Sequence, residues 1–331
     1  MHREKITVIM PTYNSMPYLK SAIKSIFDQD YLNWELIISD DCSNDKTISF
    51  LKKLKHDKIK IFYQKKNLGI FNNLKFLDSK VKTSIVKILC ADDIMLKNCL
   101  SDISIFMKKF ESCNLISFFD QNSKKIFSER NENAFYLDYG NKKYSYFNSS
   151  SAMVVFFAFG NILGNLSQTA YRKKKNDTNP NFDQKYPYVG DFNTWVIFSK
   201  KNGFYLIKKK LVYVRVHSKR GSVTLNRNNE MYPQANKVYS YLLTNIDKKY
   251  HKNLRKYILL NYFPSRITAY FSSLFNGKIL NAKKVFHNAP LNISILDCII
   301  HSIFYKFNNN IINNTYRNHI INIIKNLNNK K

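Results

Sequence analysis

Two pairs of adjacent carboxylates, Asp40-Asp41 and Asp92-Asp93, are the residues here best suited to chemistry, in a chain with 53 Lys plus Arg against 23 Asp plus Glu. Like charges gathered in one crevice repel unless a cation or a donor-rich ligand lies between them. A hard divalent ion with oxygen ligands, Mg²⁺ or Mn²⁺, would relieve that repulsion and also hold a diphosphate. The remaining carboxylates would accept from ribose hydroxyls and a base N–H. A fifth acid, Asp191, follows Gly190 at an apparent helix start among aromatic residues, which suits a raised carboxyl able to take a proton. Local sequence reads it equally as a helix N-cap, and Asp45 as the cap of a helix near 47–54. Arg215 and His217 close the segment LVYVRVH on one face of a strand, suited to phosphate and metal or to an ordinary strand end.

These residues need a scaffold that brings them together. ITVIM (6–10), ELIIS (35–39), KIKIF (58–62), SIVKIL (84–89) and NLISF (114–118) are short β-branched runs that read as strands. Between them Leu19, Ile23, Ile26 and Phe27 share a helical face, as do Phe50, Leu51 and Leu54, and Leu96, Leu100, Ile103, Met107 and Phe110 form a longer stripe. This alternation predicts an α/β fold, a mostly parallel twisted sheet with helices on both faces. Ligands of such sheets bind outside the carboxyl ends of the strands. Pro11, Thr12 and Tyr13 end the first strand, Asp40 and Asp41 the second, and Asp92 and Asp93 the fourth. Neither GxGxxG nor GxxxxGK[ST] occurs, which excludes the usual dinucleotide and P-loop devices.

From 120 to 150 the chain is polar. YPYVGDFNTWVIF reads as a helix start, and FYLIKK with LVYVRVH as a hairpin or edge strands. After about 225 the chain becomes basic, with 16 Lys plus Arg against 3 Asp plus Glu from 226 to 331. The net charge of +30 invites nucleic acid, an anionic membrane or phosphorylated substrates, although joint over-use of Lys, Asn, Ile, Tyr and Phe explains it as well through codon bias. Five cysteines without CxxC pairing suit a reducing cytosol. No signal-peptide pattern or spanning apolar run is found, so a soluble, cytoplasmic chain is expected.

ITVIMPTYN, WELIISDDCSNDKT, NLGIFNN and ILCADDIML are similar, in order and spacing, to the four successive signatures of family 2 glycosyltransferases with the GT-A fold. The resemblance covers residues 5–110, and extends more weakly through ILGNLSQTAYRKK and YVGDFNTWVIF to VRVHSKRGS. It implies that Pro11, Thr12 and Tyr13 wall the nucleotide and that Asp41 accepts from a uracil or thymine N–H. Asn67 and Gly69 would lie under the donor, although Gly69 also reads as a plain turn residue. Asp92 would lie by the ribose, with Asp93 and His217 at a Mn²⁺ or Mg²⁺ ion, Arg215 at the diphosphate and Asp191 as catalytic base. The chain has Ala91-Asp92-Asp93 where many members have Asp-x-Asp, so the first acid is missing.

The expectation is a GT-A domain over 1–222, with a nucleotide-sugar half to 120 and an acceptor half from 121. A basic helical extension over 223–331 would dock on an anionic membrane or a partner. The reaction would be inverting transfer from a UDP- or dTDP-linked sugar to a glycan or lipid-linked acceptor hydroxyl. Two other classes are weighed. A nucleic-acid binder accounts for the charge but not for acids at strand ends, so no nucleic acid is expected. A nucleotidyltransferase making nucleotide sugars would carry a Gly-rich basic loop where PTYNSMPYLK stands.

Overall fold

The computed structural model describes residues 4–120, 144–174, 180–217, 228–261, 264–300 and 311–329. They fall into two compact units, one of residues 1–146 with 163–216, the other of 147–162 with 217–331. Segment 147–162, read from sequence with the first 222 residues, thus groups with the C-terminal helices. Much of the acceptor half, 121–143 and 175–179, lies outside the described residues.

The first unit is built on β1 (Ile6–Thr12), β2 (Trp34–Asp40), β3 (Ile59–Tyr63), β4 (Ile85–Ile88), the two-residue β5 (Ile94–Met95), β6 (Leu115–Asp120), β7 (Tyr144–Phe147), β8 (Thr169–Arg172) and β9 (Phe204–Tyr213). Sheet order is β3-β2-β1-β4-β8-β6-β9-β5, with β7 also on β9. β3-β2-β1-β4 is parallel and β6 runs parallel to β9, whereas β8 is antiparallel to β4 and β6, and β5 to β9. The sheet is therefore mixed. β1 is buried along its whole length, as a central strand covered on both faces should be.

Helices α1 (Met16–Phe27), α2 (Thr47–Lys53), α3 (Ile70–Lys80), α4 (Cys99–Lys109) and α6 (Gly190–Asn202) belong to this unit. Leu19, Ile23 and Ile26 of α1 and Leu100, Ile103 and Met107 of α4 join Val8, Met10, Leu36 and Ile38 in one core, following the 3.6-residue apolar spacing. Leu96 and Phe110 flank α4, and Phe27 is 39% exposed with its ring edge-on to Trp34. The segment expected as a hairpin or edge strands is one ten-residue strand that lies between β6 and β5 in the sheet. Lys208, Lys209 and Lys210 resemble a turn but form the outer stretch of β9, where its pairing with β6 shifts register. β9 ends at Tyr213, so Arg215 and His217 lie past the strand, not on its face.

The second unit contains α5 (Ser149–Phe159), α7 (Met231–Thr244), α8 (His251–Asn261), α9 (Pro264–Phe275), α10 (Ile279–Phe286) and α11 (Ile311–Asn328). Every residue of α5 from Ser151 to Ala158 is buried, and it packs against α7, α8 and α11. The Asn148 side chain caps α5 by accepting from the Ser151 N–H. Asn148 also donates to Leu327 O and Asn328 Oδ1 at the end of α11. Arg266 is buried between α7 and α10, where its Nη1 donates to Asn236 Oδ1 and Val285 O.

Candidate active site

The carboxyl ends of β1 and β2 are knitted together by Asp40. Its fully buried carboxylate accepts from Thr12 Oγ1 (3.1 Å), the Ser43 N–H (3.0 Å) and Ser43 Oγ (2.6 Å). Asp40 is thus a structural acid that shapes the turn after β2. Pro11 and Thr12 are buried at the end of β1, while Tyr13, 48% exposed, offers its ring to solvent. Asp45 accepts from the Thr47 N–H at the head of α2 and from the Met16 N–H of α1, but the N-cap position of α2 is held by Lys46, so Asp45 is not the cap expected of it.

Asp41 reaches the loop before α3. One carboxylate oxygen accepts from the Leu68 N–H (2.8 Å) and the other from the Gly69 N–H (2.9 Å). Burial raises its pKa, the two N–H groups oppose the rise, and the Asp40 charge adds to it. Asn67 Oδ1 also accepts from the Gly69 N–H. Gly69 is more than a turn residue. Its φ is +79°, and a Cβ there would sit 2.5 Å from the Gln184 side-chain amide. Gln184 Oε1 in turn accepts from the Phe71 N–H at 3.0 Å, and a Cβ on Gly190 would meet the Phe71 ring at 2.4 Å. Asn67, Gly69 and Asp41 are therefore fastened to the segment that carries Asp191.

Asp191 is the second residue of α6, half-buried, with Oδ1 accepting from the Phe192 N–H at 2.7 Å. The N-cap position is held by Val189, so the capping reading of Asp191 fails. Its place in the first turn still favours a negative charge through the helix dipole. Asp183, the acid of the loop before α6, accepts from the Lys185 N–H and is half-buried.

Asp92 is half-exposed and Asp93 only 1% exposed. Asp93 Oδ1 accepts from the backbone N–H of Arg215 and Oδ2 from Asn165 Nδ2, both at 3.1 Å. Burial first, then the neighbouring Asp92 charge, push the Asp93 carboxyl up to about 6. Cys90, Asp92 and Asp93 bring one ligand atom each to within 4.8 Å of one another. This chemistry fits a divalent cation, which would offset the repulsion between the carboxylates. A register ending on Asp92 puts Cys90 where Asp-x-Asp has its first acid, and burial with the two Asp charges keeps that thiol protonated by raising its pKa.

The Arg215 side chain leaves Asp93 and turns to α1. Nη2 donates to Ser21 Oγ at 2.7 Å and the guanidinium lies 5.2 Å from the Tyr18 ring centroid. Its Nη1 is buried without a protein partner, a donor suited to an anionic ligand. His217 groups with the second unit and is half-buried.

Several residues escaped sequence reading. Gln184 sits in a polar loop with no local signal. Asn165 and Ser167 belong to a short 3₁₀ turn, Leu166–Gln168, whose one clue was the spacing of Asn165 and Gln168 as a capping box. Below them Lys87, fully buried in β4, donates to Ile88 O and Ser167 O, while Ser167 Oγ accepts from the Cys90 N–H.

Residues 7–163 match the family model described as glycosyl transferase family 2. A Campylobacter jejuni GalNAc(5)-diNAcBac-PP-undecaprenol β-1,3-glucosyltransferase is 26% identical over 311 residues, covering 89% of this chain and 94% of that protein. An Escherichia coli UDP-Glc:α-D-GlcNAc-diphosphoundecaprenol β-1,3-glucosyltransferase is 25% identical over 285 residues, 82% of this chain and 98% of its own length. Among solved structures, Staphylococcus aureus TarS 1–349 superposes with a TM-score of 0.60 at 18% identity, covering 86% of this chain and 81% of that one. The Pyrobaculum calidifontis mannosyltransferase PcManGT, in complex with GDP-Man and Mn²⁺, gives 0.53 at 14% identity over 100% and 89%. With acids past the ends of β2 and β4 on a mixed sheet of this topology, and with these relatives, residues 7–163 belong to glycosyl transferase family 2 and the chain has the GT-A fold.

Proposed function

We propose that the protein transfers a hexose from a UDP- or dTDP-linked donor to a hydroxyl of a lipid-linked glycan, with inversion at the anomeric carbon. The observation that carries this is that Asp41 follows β2 and Asp92 and Asp93 follow β4, both parallel to β1, so that these acids emerge past the carboxyl ends of neighbouring strands, with the Arg215 N–H on Asp93. Pro11, Thr12 and Tyr13 supply a wall for the base, and Asp41 holds the Asn67–Gly69 loop beneath it. Asp92, the more exposed acid, and Asp93 would hold Mn²⁺ or Mg²⁺, with Cys90 within reach. The ion, when bound, supplies positive charge to a departing diphosphate. Arg215 adds a second positive charge, and Asn165 with the Arg215 N–H keeps Asp93 oriented.

Asp191 accepts the acceptor hydroxyl's proton as its oxygen attacks the anomeric carbon. A single displacement needs one base and no glycosyl-enzyme intermediate, unlike the paired carboxylates of retaining glycosidases. The two relatives above carry β-glucosyltransferase names, and the E. coli protein is named for UDP-Glc with a diphosphoundecaprenol-linked acceptor, which supports this donor and acceptor class. The PcManGT complex with Mn²⁺ supports the divalent ion. No described helix is long and apolar enough to cross a membrane, so a lipid-linked acceptor implies contact with the bilayer surface. A thermal-shift panel of nucleotide sugars with and without Mn²⁺, followed by transfer to a polyprenyl-diphosphate sugar, tests the reading. Stabilisation by a nucleoside triphosphate with release of pyrophosphate would replace it with nucleotidyl transfer.

A further inference from the structure

Four of the large apolar residues that the second unit exposes gather at the turn between α9 and α10, with Leu296 and Ile300 lying later in the chain. Phe275 is 87% exposed, Leu280 75%, Ile279 58% and Phe271 37%, with the Phe271 and Phe275 ring centroids 6.3 Å apart. The turn is well built beneath them. Asn276, Gly277 and Lys278 donate their N–H groups to Ser272 O, Leu274 O and Ser273 O, and Gly277 takes the positive φ of +69° that closes the corner. Ala282 and Val285 on the inner face of α10 are fully buried, as is the Arg266 side chain that ties α9 to Val285 O. The tip is thus an ordered hairpin with a dry inner face and an apolar outer one.

Its charge shows what it meets. Lys278 and Lys283 are exposed beside the apolar residues, and no Asp or Glu occurs from 248 to 296. The four side chains offer roughly 500 Å² of surface, from the area of aromatic side chains. A stable protein interface takes about 800 Å² per partner. A second copy would also bring like-charged lysines together. A bilayer imposes neither limit, since it accepts a small convex wedge and its anionic headgroups pair with lysine.

We propose that the α9–α10 turn is a membrane-docking tip that sinks Phe275, Ile279 and Leu280 into an anionic bilayer with Lys278 and Lys283 at the headgroups. This deepens the lipid-linked acceptor reading and is tested apart from it. The full-length protein should co-sediment with phosphatidylglycerol-containing vesicles and far less with pure phosphatidylcholine. Phe275→Ser with Leu280→Ser should weaken partitioning by about tenfold or more, given the apolar area withdrawn. Lys278→Gln with Lys283→Gln should weaken it at low salt and flatten its salt dependence. Phe275→Trp should shift its emission to the blue on adding anionic vesicles, relative to wild type.

Wild-type partitioning by the serine pair, or an unmoved Phe275→Trp emission, overturns the proposal. So does a wild-type dimer in light scattering that the serine pair dissolves while vesicle binding is absent. Affinity for a nucleoside diphosphate, measured on the same samples, should not change in the serine pair. Its absence from the wild type would sink the glycosyl-transfer reading and leave the vesicle result standing.

Discussion

Gly190→Ala tests the fastening between the donor loop and the base segment. Gly190 has no positive φ, so alanine is free to adopt its backbone, and at such a position Gly→Ala ordinarily stabilises by about 0.4–1 kcal/mol. Here the new Cβ lies 2.4–2.7 Å from three atoms of the Phe71 ring, about 1 Å short of ordinary contact. The ring is 4% exposed and has little room to swing. Overpacking of that kind costs about 1–3 kcal/mol, so the sign reverses. A net loss of 1–2 kcal/mol lowers Tm by roughly 2–8 °C for a domain of this size. Phe71 lies two residues past Gly69, so strain passed to the loop should weaken nucleoside-diphosphate binding roughly three- to tenfold, by about 0.7–1.4 kcal/mol. Calorimetric titration and thermal melts would read both effects. Phe71→Leu, which trims the ring, should cancel part of the Gly190→Ala cost in a double-mutant cycle. An alanine variant as stable as wild type, or a cycle with no coupling, would refute this reasoning.

Asp191→Asn should lower turnover at saturating donor by about 10²–10⁴-fold, while losing a first-turn charge worth only about 0.3–1 kcal/mol of stability. Asp183→Asn is its control and should leave turnover nearly unchanged. Mn²⁺ affinity, followed by electron paramagnetic resonance, should fall about tenfold per pH unit below about 6, because the proton on Asp93 competes with the ion, and Asp93→Asn should abolish that dependence. Burial lowers the Lys87 pKa from 10.5 to about 8, so the unfolded chain keeps a proton that the folded chain releases first. Between those two values wild type should gain about 3 kcal/mol of stability relative to Lys87→Met, an increase with pH read from denaturant melts of both proteins. A pH-independent difference between the two would put Lys87 in a more polar setting.

The strands and the positions of the strand-end acids were legible because both follow from short-range pattern. β-branched runs mark β1 to β4, and an acid pair directly after a run must emerge at the sheet edge. What the pattern hid is tertiary. Asp40 and Asp41 look alike in sequence, yet Asp40 turns inward to Ser43 and Thr12 while Asp41 reaches Leu68 and Gly69. Gln184 is unremarkable until it lies on Gly69, 115 positions away. The lysine run at 208–210 breaks the apolar pattern of β9 because this stretch is exposed where the pairing with β6 shifts register. Arg215 and His217 read as alternating strand residues because VYVRV continues the β-branched pattern past Tyr213, where the strand ends.

The capping of α5 has a consequence in time. Asn148 and Ser151 are bonded to Asn328, 180 and 177 residues later in the chain. At about 5–20 residues per second of synthesis, this apolar helix emerges roughly 10–40 s before the residue that closes its end. Early in that interval Ala152–Ala158, buried in the finished protein, has neither α7, α8 nor α11 to cover it, and until its end it still lacks α11. The second unit therefore cannot close until α11 has been made, and the nascent chain presents a ready chaperone-binding segment until then. A chain cut before Asn328 would leave the head of that segment permanently without the Asn328 contacts.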